Sequence, residues 1–227
     1  MQYLRKFANI IKEGVSMDTN KIKDEIILIG QRLYSKDLTS GTSGNISARC
    51  ESNYLVTASG TSLADLTRDD ILLVDENGHA VNSEKKPSSE SMLHIEIYKK
   101  REDINALVHC HAPMLCAFAV AHMDLDMPIM AENILYFGKI PVADYGMPSS
   151  KDLVENTSKY FENNDTVLMA NHGVICGDSD LRHAFYKLET AETYAKVCLY
   201  NRMLGKTVPL DEHAIADLEK LKLALKS

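Results

Sequence analysis

The sequence predicts an α/β fold: a single three-layer αβα domain with a central mixed, largely antiparallel sheet covered by helices on both faces. Three observations carry that expectation. Segments of helical periodicity alternate with short apolar runs of strand length. Asp75-Glu76-Asn77-Gly78-His79 centres on Asn-Gly, a strong hairpin signal, so some strands pair antiparallel. The 227 residues hold no internal repeat, low-complexity run or linker, so one core is expected. That domain is expected over residues 17–227. Residues 1–16 read as a weakly amphipathic N-terminal extension. Glu13-Gly14-Val15 is encodable by a purine-rich, ribosome-binding-like series, which places the natural start at Met17.

The elements follow in order. Ile22, Ile26, Ile27, Ile29 and Leu33 recur at helical spacing, which predicts a helix from Thr19 to Lys36 capped by Asp18 or Thr19. Gly41-Thr42-Ser43-Gly44-Asn45-Ile46-Ser47 is too rich in glycine and hydroxyls for regular structure. Tyr54–Thr57 and Ile71–Val74 read as strands, with a small-residue turn, Ala58-Ser59-Gly60-Thr61, between them. Pro87-Ser88-Ser89-Glu90 opens a helix to about Arg101, with Ser88 or Ser89 as N-cap. A strand runs over Ala106–His111, and Pro113 suits the first turn of a helix over Ala112–Ala121. Met127–Met130 is extended, and Ala131-Glu132-Asn133 follows as loop. Lys139–Ala143 is a strand, and Ser149 or Ser150 caps a helix from Lys151 to Phe161. The strand Thr166–Ala170 ends at His172, and Val174–Cys176 continues beyond a break at Gly173. A long helix from Asp180 to Leu204 closes at Gly205, and a short terminal helix starts near Leu210.

Composition excludes several classes. Hydrophobic content of 45% and charged content of 25% are those of a soluble globular chain. A net charge of −7 without a basic run argues against nucleic acid. No segment approaches the roughly 18–20 apolar residues of a membrane span. The start does not resemble a signal peptide, because Lys12 and Glu13 interrupt its apolar run. Five cysteines without a CxxC pair fit a reducing cytoplasm rather than a disulfide framework.

The chemistry concentrates at element ends. His109 and His111 are alternate residues at a strand end, so both aim at one point, while Cys110 faces the core. The tripeptide alone also fits two histidines hydrogen-bonded at a strand end. His172 follows a second apolar run, and Glu90 opens a helix. Three histidines and one carboxylate so placed suit a divalent transition metal with an exchangeable position. The glycine turns around Gly44 and Gly60 let backbone N–H groups approach an anion, and Thr42, Ser43 and Asn45 can donate to one. Taken alone, that stretch also reads as a surface turn. The helix end at Ser88 and Ser89 is a further anion-binding position. His94, one turn after Glu90, reads as packing, and His79 as exposed and inert.

Gly41-Thr42-Ser43-Gly44-Asn45, Ser59-Gly60, Pro87-Ser88-Ser89-Glu90, His109-x-His111 and Asn171-His172-Gly173, in that order, resemble the class II aldolase/adducin family over roughly Lys21 to Leu204. The resemblance implies zinc, one ion per chain, on Glu90, His109, His111 and His172, with manganese or cobalt as substitutes. It implies a substrate phosphate on Gly44, Asn45, Ser59, Gly60, Ser88 and Ser89. The implied function is cleavage of a ketose 1-phosphate, L-fuculose 1-phosphate-like or a 5-deoxypentulose phosphate. The products are dihydroxyacetone phosphate and an aldehyde, formed through a metal-stabilised enediolate. Glu90 yields its place to substrate and becomes a base. Glu132 aligns with a catalytic tyrosine of the aldolases and resembles the glutamate acid/base of the dehydratases. Glu90 stands where the epimerases have aspartate, which speaks against an epimerase; no tyrosine follows Tyr200, although the aldolases carry one in their tail. A sugar-phosphate dehydratase, 4-epimerase or decarboxylase is therefore the alternative, and a non-catalytic adducin-like module a remote one. The resemblance further implies a homotetramer with active sites at subunit interfaces.

Overall fold

Seven strands form one mixed sheet in the order β3-β2-β1-β4-β7-β6-β5. They are β1 Asn45–Cys50, β2 Asn53–Thr57, β3 Ile71–Val74, β4 Ala106–Cys110, β5 Val142–Ala143, β6 Thr166–Met169 and β7 Gly173–Asp178. Every neighbouring pair is antiparallel except the parallel β5–β6 pair at one edge. The computed structural model describes residues 2–81 and 83–226, with side chains over 19–81 and 83–224.

Helices cover both faces, as expected. On one side α1 (Gln2–Ser35), α3 (Pro113–Val120) and α6 (Leu181–Leu204) share a core with Ile46, Val108, Cys110 and Cys176. On the other, α2 (Ser91–Lys100) and α5 (Lys151–Ser158) pack on Val56, Leu107, Val167 and Ile175. The alternation is visible along β4. Ala106, Val108 and Cys110 enter the first core and Leu107 the second, so Cys110 turns away from the histidines. Burial of each such Leu, Ile or Val side chain contributes roughly 1.5–3 kcal/mol. Asp180 caps α6 by accepting from the His183 amide, and Gly205 ends that helix in the left-handed conformation at φ 72°. Ser150 caps α5 through the Leu153 amide.

Four expectations need correction. The stretch from Asn45 to Ser47, read as irregular, is the start of a central strand, β1. Its polar side chains are buried against partners rather than exposed: Ser47 is fully buried, and the Arg49 guanidinium donates to the carbonyls of Tyr98, Arg101 and Ile104. Ser88 and Ser89 precede the helix, and Glu90 itself is the N-cap of α2. The first helix begins at Gln2 rather than Thr19. Glu132 lies in the first turn of a short helix, α4 (Ala131–Tyr136), not in a loop. The Asn133 side chain holds that turn by accepting from the Met130 amide. A terminal helix, α7 (Glu212–Lys226), packs along α4. His79 is exposed, as expected.

Candidate metal centre and anion pocket

The end of β4 positions the first two histidines. His109 Nδ1 donates to the Val174 carbonyl of the neighbouring β7 at 2.9 Å, which leaves Nε2 with its lone pair toward the site. His172 sits in the tight connection from β6 to β7, where its amide donates to the Met169 carbonyl. Asn171 takes the left-handed conformation there at φ 56°, which asparagine tolerates, and His122 Nε2 donates to its side-chain oxygen at 2.7 Å. Two glycines let these backbones meet. A Cβ on Gly44 would lie 2.7 Å from the His109 carbonyl, and one on Gly173 2.8 Å from the His111 ring. Gly173, a strand break by sequence, is continuous with the strand that follows. It is the first residue of β7, and its position directly after His172 was the available signal.

The ring nitrogens of His109, His111 and His172 lie within 4.8 Å of one another. Glu90, 7% exposed, lies against two of them: Oε2 is 3.3 Å from His109 Nε2, and Oε1 is 3.3 Å from His172 Nε2. A separation of about 3.3 Å suits nitrogen and oxygen donors that share one cation at bonds near 2.0–2.1 Å. The Asn45 amide donates to Glu90 Oε2 at 3.1 Å. Protonation favours the same use. Burial, then the neighbouring His109 and His172, push His111 down to about 4, and burial also lowers His172. Burial raises Glu90, but His109, His172 and the Asn45 amide outweigh it and hold the carboxyl below its usual range. Neutral imidazoles and an ionised carboxylate are the forms that bind a divalent cation.

A cavity of about 170 Å³ opens from this group to Thr42–Asn45, Ser59, Gly60, Ser88 and Ser89. The chain ties its two small turns together. The Ser88 amide donates to the Thr57 carbonyl and the Ser59 amide to the Lys86 carbonyl, at 3.0 and 2.9 Å. Ser43 Oγ donates to the Ser40 carbonyl, and Ser88 Oγ accepts from the Glu90 amide, so both hydroxyls shape the pocket. Among the described residues, the hydroxyls of Thr42, Ser59 and Ser89 have no protein partner and are available to an oxyanion. Asn45 lines the same cavity and gives one of its two amide hydrogens to Glu90. Glu132 is not brought to this cavity. It is exposed, and it lines a separate groove with Tyr136 and Tyr186.

Fold and site together define an αβα protein with an open histidine–carboxylate centre at a sheet end, beside a hydroxyl-lined pocket. Residues 24–199 match the family described as Class II Aldolase and Adducin N-terminal domain, and the chain belongs to that family. It is 34% identical over 184 residues to the L-fuculose phosphate aldolase of Methanocaldococcus jannaschii, spanning 81% of this chain and 99% of that one. It is 32% identical over 203 residues to the 5-deoxy-D-ribulose 1-phosphate aldolase of Bacillus thuringiensis serovar kurstaki, spanning 88% and 94%. A solved L-fuculose 1-phosphate aldolase superposes with a TM-score of 0.83 at 30% identity, covering 91% of this chain and 97% of that one. These relatives indicate a lyase, and class II aldolases are metal-dependent. No helix among the described residues is long and apolar enough to cross a membrane.

Proposed function

We propose that this chain is a zinc-dependent aldolase. It cleaves a ketose 1-phosphate, L-fuculose 1-phosphate-like or a 5-deoxypentulose phosphate, to dihydroxyacetone phosphate and an aldehyde. One observation carries this reading: three histidines gather within 4.8 Å of one another, with Glu90 3.3 Å from two of them, on a cavity also lined by the free hydroxyls of Thr42, Ser59 and Ser89. The activities printed for the relatives agree with it.

His109, His111, His172 and Glu90 hold the cation, and manganese or cobalt suits the same donors. When bound, the ion supplies Lewis-acid polarisation of the ketose carbonyl. Thr42, Asn45, Ser59 and Ser89, with the Gly44, Gly60 and Ser88 backbone around them, hold the phosphate and fix the sugar's position. Glu90 leaves the gap between His109 and His172 as substrate enters and becomes the proton carrier. The C3–C4 bond breaks, its electron pair stays with C3, and C3 receives a proton from Glu90, which is ionised at rest and takes that proton from solvent as it is displaced, while the proton lost from C4 returns to solvent. The C4 hydroxyl loses its proton and becomes the aldehyde carbonyl.

Glu132 is proposed as the acceptor of that hydroxyl proton. Its place on a separate groove of its own chain makes it a candidate to act at a neighbour's cavity, in a homotetramer with active sites at subunit interfaces. Glu132 equally suits carbon–oxygen elimination, so a dehydratase on a related sugar phosphate is the second reading. All five cysteines are free, which supports a cytoplasmic setting. The test is a panel of ketose 1-phosphates with enzyme-coupled detection of dihydroxyacetone phosphate, before and after chelation and zinc return. Triose phosphate that forms, stops on chelation and resumes with zinc supports the aldolase. A dehydrated product by mass spectrometry, with no triose phosphate, selects the second reading.

A further inference from the structure

Three buried polar atoms at the site have no partner among the described residues: Asn45 Oδ1, His172 Nδ1 and His94 Nε2. His94 is fully buried on α2, one turn after Glu90. Its Nδ1 lies 2.7 Å from Ser47 Oγ, which lies 2.7 Å from Tyr98 Oη. Tyr98 is 1% exposed, and among the described residues Ser47 is the acceptor for its hydroxyl proton. Tyr98 therefore donates to Ser47, and Ser47 donates to His94 Nδ1. The imidazole must then carry its hydrogen on Nε2. That Nε2 is buried with no hydrogen-bond partner among the described residues. A buried donor left unpaired bears the full desolvation of its N–H, so the site should offer it an acceptor in some state.

Two buried acceptors come from this side of the sheet: Asn45 Oδ1, itself without a partner, and the Glu90 carboxylate, the one that the proposed reaction sets free to move. Asn45 and Ser47 are alternate residues of β1 and face the same side; the first holds Glu90 and the second holds His94. His109 stands opposite Asn45 in the strand register. Glu90 and His94 are four residues apart at the start of α2, on one helix face, and a helical side chain leans back over the preceding turn. His94 thus leans toward Glu90. Electrostatic coupling agrees: burial holds His94 neutral at about 3, with smaller opposing influences from His109 and Glu90.

We infer that His94 is a positioning residue whose Nε2–H receives the Glu90 carboxylate once that carboxylate leaves the gap between His109 and His172. The inference rests on the aldolase reading for the event that displaces Glu90. In the resting arrangement both carboxylate oxygens face imidazole nitrogens. In the displaced one, a fixed neutral donor from the same helix holds the carboxylate still while it carries a proton.

Two substitutions separate this from packing. His94→Asn keeps an acceptor for Ser47 and removes the donor at the Nε2 position. His94→Gln places an amide nitrogen close to that position. His94→Asn should lower kcat about 10–100-fold, the range for losing a group that orients a metal-site residue, with KM and bound metal unchanged. His94→Gln should recover most of the loss. A structure of the zinc-loaded protein with dihydroxyacetone phosphate should place a Glu90 oxygen within hydrogen-bond distance of His94 Nε2. An unchanged kcat in His94→Asn, a Gln variant no better than the Asn one, or Glu90 still between the two histidines would each overturn the inference. The imidazole tautomer, read by nitrogen NMR without substrate or metal, covers variants that fail to fold: hydrogen on Nε2 supports the inference and hydrogen on Nδ1 overturns it. If wild-type protein releases triose phosphate from no ketose 1-phosphate, the aldolase reading fails instead, and the tautomer still decides this one.

Discussion

Replacing Gly173 by alanine should damage the metal centre without touching a ligand. The backbone there is ordinary, so the effect comes from the added methyl alone. It would lie 2.6 Å from the Cys110 carbonyl, 2.8 Å from His111 Cδ2 and 3.1 Å from His109 Cε1. The carbonyl cannot give way easily, because β4 is paired on both sides, with β1 and with β7. The rings and the β7 start must shift instead, and a ligand set tolerates only about 0.5 Å of displacement. Overpacking of this kind costs roughly 1–3 kcal/mol, which urea unfolding of chelator-treated protein would read directly. Zinc affinity should fall about 10–100-fold, read by competition with a chromophoric chelator. At a fixed excess of zinc the metal-linked stabilisation should then drop by a further ~1.4–2.7 kcal/mol. Gly177→Ala on the same strand is the control. Its methyl would meet the side-chain ends of Ile104 and Leu107 at 2.9 and 3.0 Å, far from the ligands, so stability should fall and zinc affinity should not. If Gly173→Ala binds zinc as wild type does, or if Gly177→Ala weakens zinc equally, the close fit at Gly173 does not shape the centre.

Other outcomes are expected from the same geometry. His109→Ala and His172→Ala should each lose the bound ion by elemental analysis, because the residual sites bind weakly; full occupancy in both would show the centre to be misplaced. Ser89→Ala should raise KM for a phosphorylated ketose more than it lowers kcat, and soaked phosphate should lie near Gly44, Ser59 and Ser88; an anion elsewhere with that pocket empty would refute the assignment. Glu132→Gln should lower turnover at least about a hundredfold, as for loss of a general acid–base group, while zinc content persists; wild-type turnover would return Glu132 to a surface role. Metal-free protein should lose stability as pH falls from 6.5 toward 4, because an unfolded histidine takes up a proton at 6.5 whereas His111 resists until about 4 and His94 until about 3. The unfolded chain binds more protons across that window, so acid favours it; stability by denaturant titration that stays flat from pH 7 to 5 would contradict the buried, neutral histidines.

The ligands were legible in the chain because each lies where local rules have force. Period-two alternation puts His109 and His111 on one side of β4 whatever else the protein does, and Cys110 on the other. Apolar runs, glycine stops and helix caps likewise located α3, α6 and most strands. Local rules failed where tertiary contacts supply what a segment lacks. β1 reads as a polar turn because Asn45, Ser47 and Arg49 satisfy themselves only across space, on Glu90, on His94 and Tyr98, and on the end of α2. α4 has only six residues, too few to show a period, and is held by packing against α7. From the sequence, Glu132 was expected beside the metal; its own chain folds it onto another groove, since an alignment position says which strand or helix a residue follows and not where that element turns. Residue types and their order determined that a cation and an anion have ligands here. Only the folded sheet, by pairing β1 with β4 and β4 with β7, decided that Asn45 holds Glu90, that Gly173 must have no side chain, and that His94 keeps one hydrogen bond unmade.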